Sequence, residues 1–393
     1  MMMLHPVRKH NRVPVPIKVT LLAAFLLLLH CKKPYAPPAI MAGNHFLVVD
    51  GIINTGAGAV TSIRVDRTRN LADSIQGGIP ELKAQVAIVA GNGAVFTLHD
   101  TAGAGFYTSV PLNLDPKQTY KIAITTADGR KYASDLVPNK ETPLMDSLYY
   151  EEPGDFTVYV DTHDPSGNTR YYRWDYTETW EHDSQLMSGW IVVNNFIVPQ
   201  DSTNQRTNCY TTVNSTNILL GTSEKLSTDQ ISRMPIRVIR NGDPIINQKY
   251  SILVRQYALT QEAYNYWNLI QKTSQKLGTL FDLQPSQLIG NIHCLTNPDE
   301  PVIGYMSASS IQQQRIFVYQ SELQNWIHNP PAYQCDTLEI PVDQTDYRIY
   351  TYPDSIYTAY YFISIHGPLV LVSRTCVDCT LFGGSTVKPS YWK

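Results

Sequence analysis

Charged residues are scarce in this sequence of 393 residues, where Asp, Glu, Lys and Arg together make up 17%. The formal net charge is −3, so basic residues are not in excess. Proteins that bind the phosphate backbone need an excess of Lys and Arg, and this composition therefore argues against a nucleic-acid partner. Long apolar runs are also missing, since a membrane-spanning helix needs about 20 apolar residues and the sequence contains none of that length.

Motifs for catalysis are absent as well. The sequence has no Gly-x-Ser-x-Gly turn and no His-Glu-x-x-His pair. The glycines of Gly91-x-Gly93 and Gly103-x-Gly105 are not followed by a helix, so they do not form a phosphate-binding loop. We therefore predict no enzymatic activity, no catalytic residues and no cofactor.

Two polar clusters could be taken for metal ligands. Asp161, His163 and Asp164 lie close together, but a Pro-Ser-Gly turn follows Asp164, where an Asp usually caps its own backbone. His182 and Asp183, which stand beside Glu178 and Glu181, show no metal-ligand spacing, and we expect them at a solvated strand end. We predict no metal site.

The N-terminus has the pattern of an export signal. Residues 1–18 contain four basic residues and no acidic residue, and an uncharged apolar run follows at 19–29. This run is about half the length of a membrane span. The run stops at Leu28-Leu29-His30-Cys31. Bacterial lipoproteins are cleaved before such a cysteine, so we predict a signal peptide at 1–30 and attachment to a lipid bilayer through acylated Cys31. His30 stands where Gly, Ala or Ser is usual, and the alternative is an ordinary secretory signal that contains a cysteine.

Five cysteines remain beyond Cys31, and an odd number permits at most two disulfides. The disulfide candidates are Cys209, Cys294, Cys335, Cys376 and Cys379. The Cys376-x-x-Cys379 pair could be a redox motif, half of a zinc site or part of a disulfide. No βαβ context and no second close pair accompany it, so we favour structural disulfides of an exported protein, whose pairing the spacing does not reveal.

Alternating apolar residues predict a mainly β fold. After a Pro-rich tether at 31–44, residues 45–140 are expected to form a small β-sandwich of the Ig-like or carboxypeptidase-regulatory-like type. The clearest hairpin lies at 119–137, with Asp128-Gly129 at its turn. Residues 141–393 are expected to form a larger β-rich domain with one packed helix at 260–277, for which Thr260 is the N-cap.

Aromatic residues are the remaining candidates for ligand contact. Tyr171, Trp174, Trp180 and Trp190 could stack on sugars or peptides. The alternative is that these residues simply suit strands and domain contacts, because Tyr and Trp are common on half-buried pleated surfaces.

Several segments taken together point to a known family. They are "MDSLYY", "VRQYALTQEAYNYWNLIQK", "GTLFDLQPSQLIGNIHC", "VIGYMSASS", "RIFV" and the closing "CVDC…GGSTVKPSYW". In this order they resemble the Bacteroidetes lipoprotein family known as domain of unknown function 4249, over nearly all of residues 31–393. The resemblance implies lipidation at Cys31, structural cysteines near the C-terminus and no known catalytic residues.

The resemblance also implies an accessory role, since members are often encoded beside TonB-dependent outer-membrane transporters. The sequence thus predicts an outer-membrane lipoprotein that binds a ligand or partner for such a transporter barrel. The alternative is an independent carbohydrate- or peptide-binding module with a concave aromatic site. A hydrolase would need a pocket that gathers carboxylates or histidines from distant segments. Lys32 and Lys33 follow the cysteine where surface lipoproteins often carry acidic residues, so the periplasmic and surface faces both stay open.

Overall fold

The structure, a computed structural model, describes residues 45–69, 77–193, 196–275, 290–330, 332–340, 357–362 and 368–393. The predicted signal peptide, Cys31 and the tether lie outside these residues. Within them the chain is mainly β with one α-helix, as the sequence predicted. Among the described residues, no helix has the length and apolar character needed to cross a bilayer.

Short strands dominate the first part of the chain. The strands are β1 (Leu47–Gly51), β2 (Ile53–Asn54), β3 (Ser62–Arg67), β4 (Ile79–Pro80), β5 (Gln85–Ala90), β6 (Val95–Leu98), β7 (Phe106–Thr108), β8 (Thr119–Thr125), β9 (Lys131–Ser134) and β10 (Val137–Lys140). The predicted hairpin at 119–137 is present as β8 and β9. Gly129 at its turn has φ of 85°, a conformation that favours glycine.

Longer strands and the helix follow. They are β11 (Met145–Glu151), β12 (Phe156–His163), β13 (Tyr171–Asp183), β14 (Trp190–Val193), β15 (Phe196–Pro199), β16 (Asn208–Asn214), β17 (Leu219–Thr222), β18 (Gln230–Ile239), β19 (Lys249–Leu259) and α1 (Gln261–Gln275). Thr260 caps the helix, because its hydroxyl accepts a hydrogen bond of 3.2 Å from the Ala263 N–H. The predicted last residues of the helix, 276 and 277, lie outside the described residues.

The last strands are again short. They are β20 (Ile292–Cys294), β21 (Val302–Ile303), β22 (Ala308–Ser309), β23 (Ile311–Tyr319), β24 (Thr337–Ile340), β25 (Tyr357–Phe362) and β26 (Leu369–Ser373).

The first core lies between two sheets. One has the order β21-β1-β3-β4, with β7 also paired to β3, and the other has the order β2-β22-β10-β8-β5-β6, with β9 and β20 attached. Their inward residues alternate along each strand, as Tyr120, Ile122 and Ile124 do in β8. Strands β20, β21 and β22 return to this core from residues 292–309, which the sequence had placed with the larger domain.

The second core lies between a sheet of order β11-β12-β18 and one of order β16-β13-β19-β23. Strand β13 is the longest of the described strands, and its residues Tyr172, Trp174 and Tyr176 are buried on one face. Helix α1 packs near the opposite face, where Arg173 lies 4.3 Å from the centre of the Trp267 ring. A smaller core forms where the β14–β15 hairpin meets the sheet β24-β26-β25.

Candidate functional site

A groove of about 530 Å³ opens at the end of β13. Its volume is in the range of small-ligand pockets, about 300–1,000 Å³. The lining residues are Trp180, His182, Asp183, Ser184, Gln185, Thr211, Pro244, Ile245, Asn247, Gln248, His328, Pro330, Ala332, Tyr333 and Phe382. The groove is therefore concave, aromatic and partly polar.

Strand β13 extends from the second core to the groove, and the face that is buried in the core lines the groove at its end. Side chains two residues apart share a face of a strand, so Glu178, Trp180 and His182 continue the row that begins in the second core. Glu178 is still buried, whereas Trp180 and His182 are half-buried. The end of the strand thus presents a ring and an imidazole to the groove.

Two aromatic rings from distant segments form part of the groove wall. Tyr333 and Phe382 stack with their ring centres 4.5 Å apart and an angle of 6° between the ring planes. Phe382 is 41% exposed, so its ring is accessible from solvent. A flat aromatic surface of this kind can contact apolar rings of a ligand.

Two disulfides hold the segments that carry these rings. Cys209 is bonded to Cys379, and Cys335 is bonded to Cys376. The predicted structural disulfides are thus present, and the two cysteines of Cys376-x-x-Cys379 bond to different partners. Cys294 was a disulfide candidate and is instead a buried free cysteine, because its strand β20 belongs to the first core.

The polar side chains of the groove are largely paired with one another or with neighbours. The Nε2 atom of His182 lies 2.9 Å from the Thr211 hydroxyl. Asp183 accepts hydrogen bonds from the side-chain amides of Asn208, at 2.9 Å, and Gln248, at 2.5 Å. Burial lowers the pKa of His182, although the Asp183 carboxylate opposes this shift, so the imidazole is neutral at pH 7.

Side-chain amides fix the loop that forms the far side of the groove. Asn241 donates to the carbonyl of Asn325 at 2.8 Å and accepts from the Ile327 N–H at 2.8 Å. Asn247 donates to the carbonyl of Asn329 at 3.0 Å. These contacts hold the loop on either side of His328, which lines the groove together with Pro244 and Ile245.

The four predicted aromatic residues have different surroundings. Trp180 lies in the groove, where contact with a ligand stays a prediction. Trp174 has no exposed surface and donates its indole N–H to Gln256 at 2.9 Å, so the expected ligand contact is wrong for this residue. Tyr171 packs on Tyr264 with ring centres 5.1 Å apart, and Trp190 packs against the small core of β24, β25 and β26.

The polar clusters behave mainly as structural groups. Asp164 accepts hydrogen bonds from the backbone of Ser166, Asn168 and Thr169, which is the turn-capping role that the sequence favoured. His163 lies 2.7 Å from Asp146. Across the described ranges, no group of three or more His, Cys, Asp or Glu side chains is placed to hold a metal ion.

Glu178 differs from the expectation of a solvated strand end. Its carboxylate is buried and accepts hydrogen bonds of 2.9 Å from both Arg237 and Tyr250. Burial compensated by a cation and a hydroxyl donor explains why the charge is tolerated. The residue therefore stabilises the second core and does not face the groove.

A second cleft, of about 860 Å³, lies between strand β10 and the turn after β12. Its charged lining residues and histidine are Lys117, Lys140, Glu141, Asp146, His163 and Asp164, and amide, hydroxyl and apolar side chains complete the lining. Lys140 donates to the carbonyl of Asn168 at 2.9 Å. Charges of both signs line this cleft, so it does not indicate one class of ligand.

Sequence reasoning missed most of the groove. Gln248, His328, Tyr333 and Phe382 come from three separate parts of the chain and share no local motif. The cysteines were the available signal, because Tyr333 and Phe382 lie two and three residues from bonded cysteines, at positions 335 and 379.

The fold and the groove define a β-rich protein with a disulfide-bounded concave site. The family model described as "Domain of unknown function (DUF4249)" matches residues 32–315, which is more than half of the chain. The chain therefore belongs to this family.

Other comparisons add little. No curated protein matches the chain. Among solved structures, it is similar to a DUF4785 family protein from Legionella pneumophila, with 8% identity and a TM-score of 0.18. That match covers 53% of this chain and 52% of the other, so the chain spans about half the length of that protein. A likeness at this level supports no conclusion about function.

Proposed function

We propose that this protein is a binding protein of the bacterial cell envelope, anchored at the outer membrane through acylated Cys31, that works beside a TonB-dependent transporter. The groove at the end of β13 supports the binding role, because it combines a concave shape, three aromatic side chains and fixed polar groups. The transporter partnership and the anchor rest on the sequence resemblance described above.

The side-chain contacts favour binding over catalysis. A hydrolase would place a histidine against a nucleophile and a carboxylate against that histidine. The groove does gather His182, His328 and Asp183, but both carboxylate oxygens of Asp183 accept hydrogen bonds from amides. These contacts suit a rigid recognition surface.

The first experiment is affinity purification of the tagged protein from membranes of its native host, followed by mass spectrometry. We expect stoichiometric recovery of a TonB-dependent barrel. Recovery of the protein without a barrel would overturn the partnership and favour an independent binding module, for which glycan and peptide arrays are the next screen.

The anchor has a separate test. Cys31→Ser should abolish labelling by fatty acids and release the protein into the soluble periplasmic fraction. Cys294→Ser is the matched control, because Cys294 is a buried free thiol and its loss should leave labelling unchanged. Membrane retention of Cys31→Ser without label would contradict the proposed anchor.

A further inference from the structure

We propose that the groove at the end of β13 binds a proline-rich segment in the polyproline II conformation that carries a basic residue. This inference deepens the proposed binding function and rests on it. Three features of the groove support this inference. Aromatic and proline rings line it, its polar side chains are hydrogen-bonded to one another or to neighbours, and the one charged residue among its described lining residues is negative.

The lining suits proline rings. Trp180, Tyr333 and Phe382 supply aromatic faces, and Pro244 and Pro330 add rigid apolar surface. Grooves lined in this way recognise polyproline II segments, because the segment is preformed and loses little conformational entropy on binding.

The polar groups argue against a ligand rich in hydroxyl groups. His182 is paired with Thr211, and the Asp183 carboxylate is paired with Asn208 and Gln248. A sugar would have to break such contacts or leave its own hydroxyls without partners, and each unsatisfied polar group costs about 1–3 kcal/mol. The pairing therefore favours a ligand with few hydrogen-bonding groups.

A proline-rich segment has this property. Proline lacks a backbone N–H, so the segment presents carbonyl acceptors and apolar rings. The indole of Trp180 carries a donor and no acceptor, which complements such carbonyls.

An extended peptide that adds a strand fits less well. At Trp180, β13 is already paired on both sides, with Thr211 of β16 and Tyr250 of β19. The main chain there offers no open edge, so recognition has to proceed through side chains.

The negative charge of the groove is the reason for proposing a basic residue in the ligand. Among the described residues that line it, none is Lys or Arg, and Asp183 is the one carboxylate. Asp183 is exposed and keeps its negative charge while it accepts the two amide hydrogen bonds, so a basic side chain can be attracted to it without breaking them and without being buried. Such an exposed pair contributes up to about 1 kcal/mol and mainly fixes orientation.

The test measures fluorescence anisotropy of labelled peptides with the full acylated protein in detergent micelles. The probe is an acetylated, amidated peptide, Arg-Pro-Leu-Pro-Pro-Leu-Pro, and the control peptide carries Ala in place of each Pro. We expect saturable binding of the probe and at least about tenfold weaker binding of the Ala peptide, as for the loss of a hot-spot contact.

Variants locate the site. Phe382→Ala removes a 41% exposed ring and should weaken binding of the probe about tenfold without loss of the fold. Trp180→Phe keeps an aromatic ring but removes the indole N–H, and it should also weaken binding of the probe. Phe196→Ala is the matched control, since Phe196 is 64% exposed on β15 and does not line the groove. Asp183→Asn should weaken the Arg peptide about threefold and leave an uncharged version unchanged.

The inference is overturned if the Ala peptide binds as well as the probe, if Phe382→Ala binds like the unmodified protein, or if maltohexaose binds and displaces the probe. Failure of the inference is distinguishable from failure of the proposed function. A barrel that co-purifies while no peptide binds leaves the partnership intact, whereas peptide binding without a co-purified barrel leaves the groove assignment intact.

Discussion

The hydroxyl of Tyr132 donates a hydrogen bond of 2.7 Å to the carboxylate of Glu300, a residue 168 positions further along the chain. Arg130 and Arg67 lie 3.1 Å and 3.5 Å from the same carboxylate. Glu300 stands between β20 and β21, and its side chain is 9% exposed. This buried cluster attaches the returning segment to the first core.

Replacement of Glu300 should destabilise the first core. Glu300→Gln removes the carboxylate that Arg67 and Arg130 share, but Arg67 keeps Glu81 at 2.6 Å and Arg130 keeps Asp128 at 2.8 Å as counter-charges. We therefore expect a loss of about 1–3 kcal/mol, as for the loss of buried hydrogen bonds to a charged group. The measurement is urea unfolding at pH 7. Asp135→Asn is the control, since Asp135 is 64% exposed beside His293 and its replacement should change stability by less than about 0.5 kcal/mol.

The effect of Glu300→Gln should depend on pH. Burial raises the pKa of the Glu300 carboxyl, but hydrogen bonds from Tyr132 and Arg130 and the charges of Arg130 and Arg67 lower it more, so the net pKa lies below the ordinary 4.5. A lowered pKa stabilises the fold above pH 4.5, and this contribution is lost as the pH falls through the folded-state value. The difference between the two proteins should therefore shrink below about pH 4. A difference that stays constant at acidic pH would contradict the charge cluster.

Disulfide mapping tests the arrangement of the groove walls. Digestion without reductant should yield Cys209 linked to Cys379 and Cys335 linked to Cys376, because these pairs are bonded in the structure. Cys294 should react with an alkylating reagent only after unfolding, since it is buried and free. A peptide that links Cys376 directly to Cys379 would contradict the structure.

A buried glutamine joins three parts of the second core. Gln256 has no exposed surface, accepts from the Trp174 indole at 2.9 Å, and donates to the Pro143 carbonyl at 2.8 Å and the Thr162 hydroxyl at 3.0 Å. Gln256→Leu leaves buried polar groups unsatisfied, at about 1–3 kcal/mol each, so we expect a loss of at least about 3 kcal/mol in urea unfolding.

Gln313→Leu is the matched control for this variant. Gln313 is exposed on the neighbouring strand β23, opposite Arg255, so its replacement should change stability by less than about 0.5 kcal/mol. Equal losses for the two variants would show that the network around Gln256 is not the source of the effect.

Local features of the fold were predictable from the sequence. The hairpin at 119–137 depends on alternating residues around Asp128-Gly129, and the helix depends on Thr260 and its apolar stripe, so nearby residues determine both. Pairing between distant segments was not predictable. Strand β21 pairs with β1 across more than half of the chain, and the few residues of β21 carry no signal for that partner.

In the candidate site, too, local features were predictable from the sequence and contacts between distant segments were not. Trp180 and Trp174 were both named as aromatic candidates, and they lie on the same face of β13, but Trp180 lines the groove whereas Trp174 belongs to the core. The pattern fixes the face of a strand but not the point at which the core ends. Glu178 was misjudged for a related reason, because its partners Arg237 and Tyr250 come from β18 and β19.

Stability should fall steeply at alkaline pH because several buried tyrosines resist ionisation. Burial raises the pKa of Tyr132 to about 12, and burial together with neighbouring carboxylates also raises the pKa of Tyr172, Tyr250 and Tyr257. Above pH 10 the unfolded chain loses these phenolic protons while the folded chain keeps them, so the free energy of unfolding decreases. Each tyrosine contributes about 1.4 kcal/mol per pH unit until its folded-state pKa is reached.

Tyr250→Phe isolates one of these contributions. The variant should lose about 1.5–3 kcal/mol at neutral pH, because the hydrogen bond to the Glu178 carboxylate is removed. Its slope above pH 10 should be shallower by about 1.4 kcal/mol per pH unit, because one proton fewer is released on unfolding. Phenolate absorbance followed together with circular dichroism provides the measurement. Ionisation of the buried tyrosines near pH 10 with the fold intact would contradict the prediction, because these side chains would then have ordinary access to water.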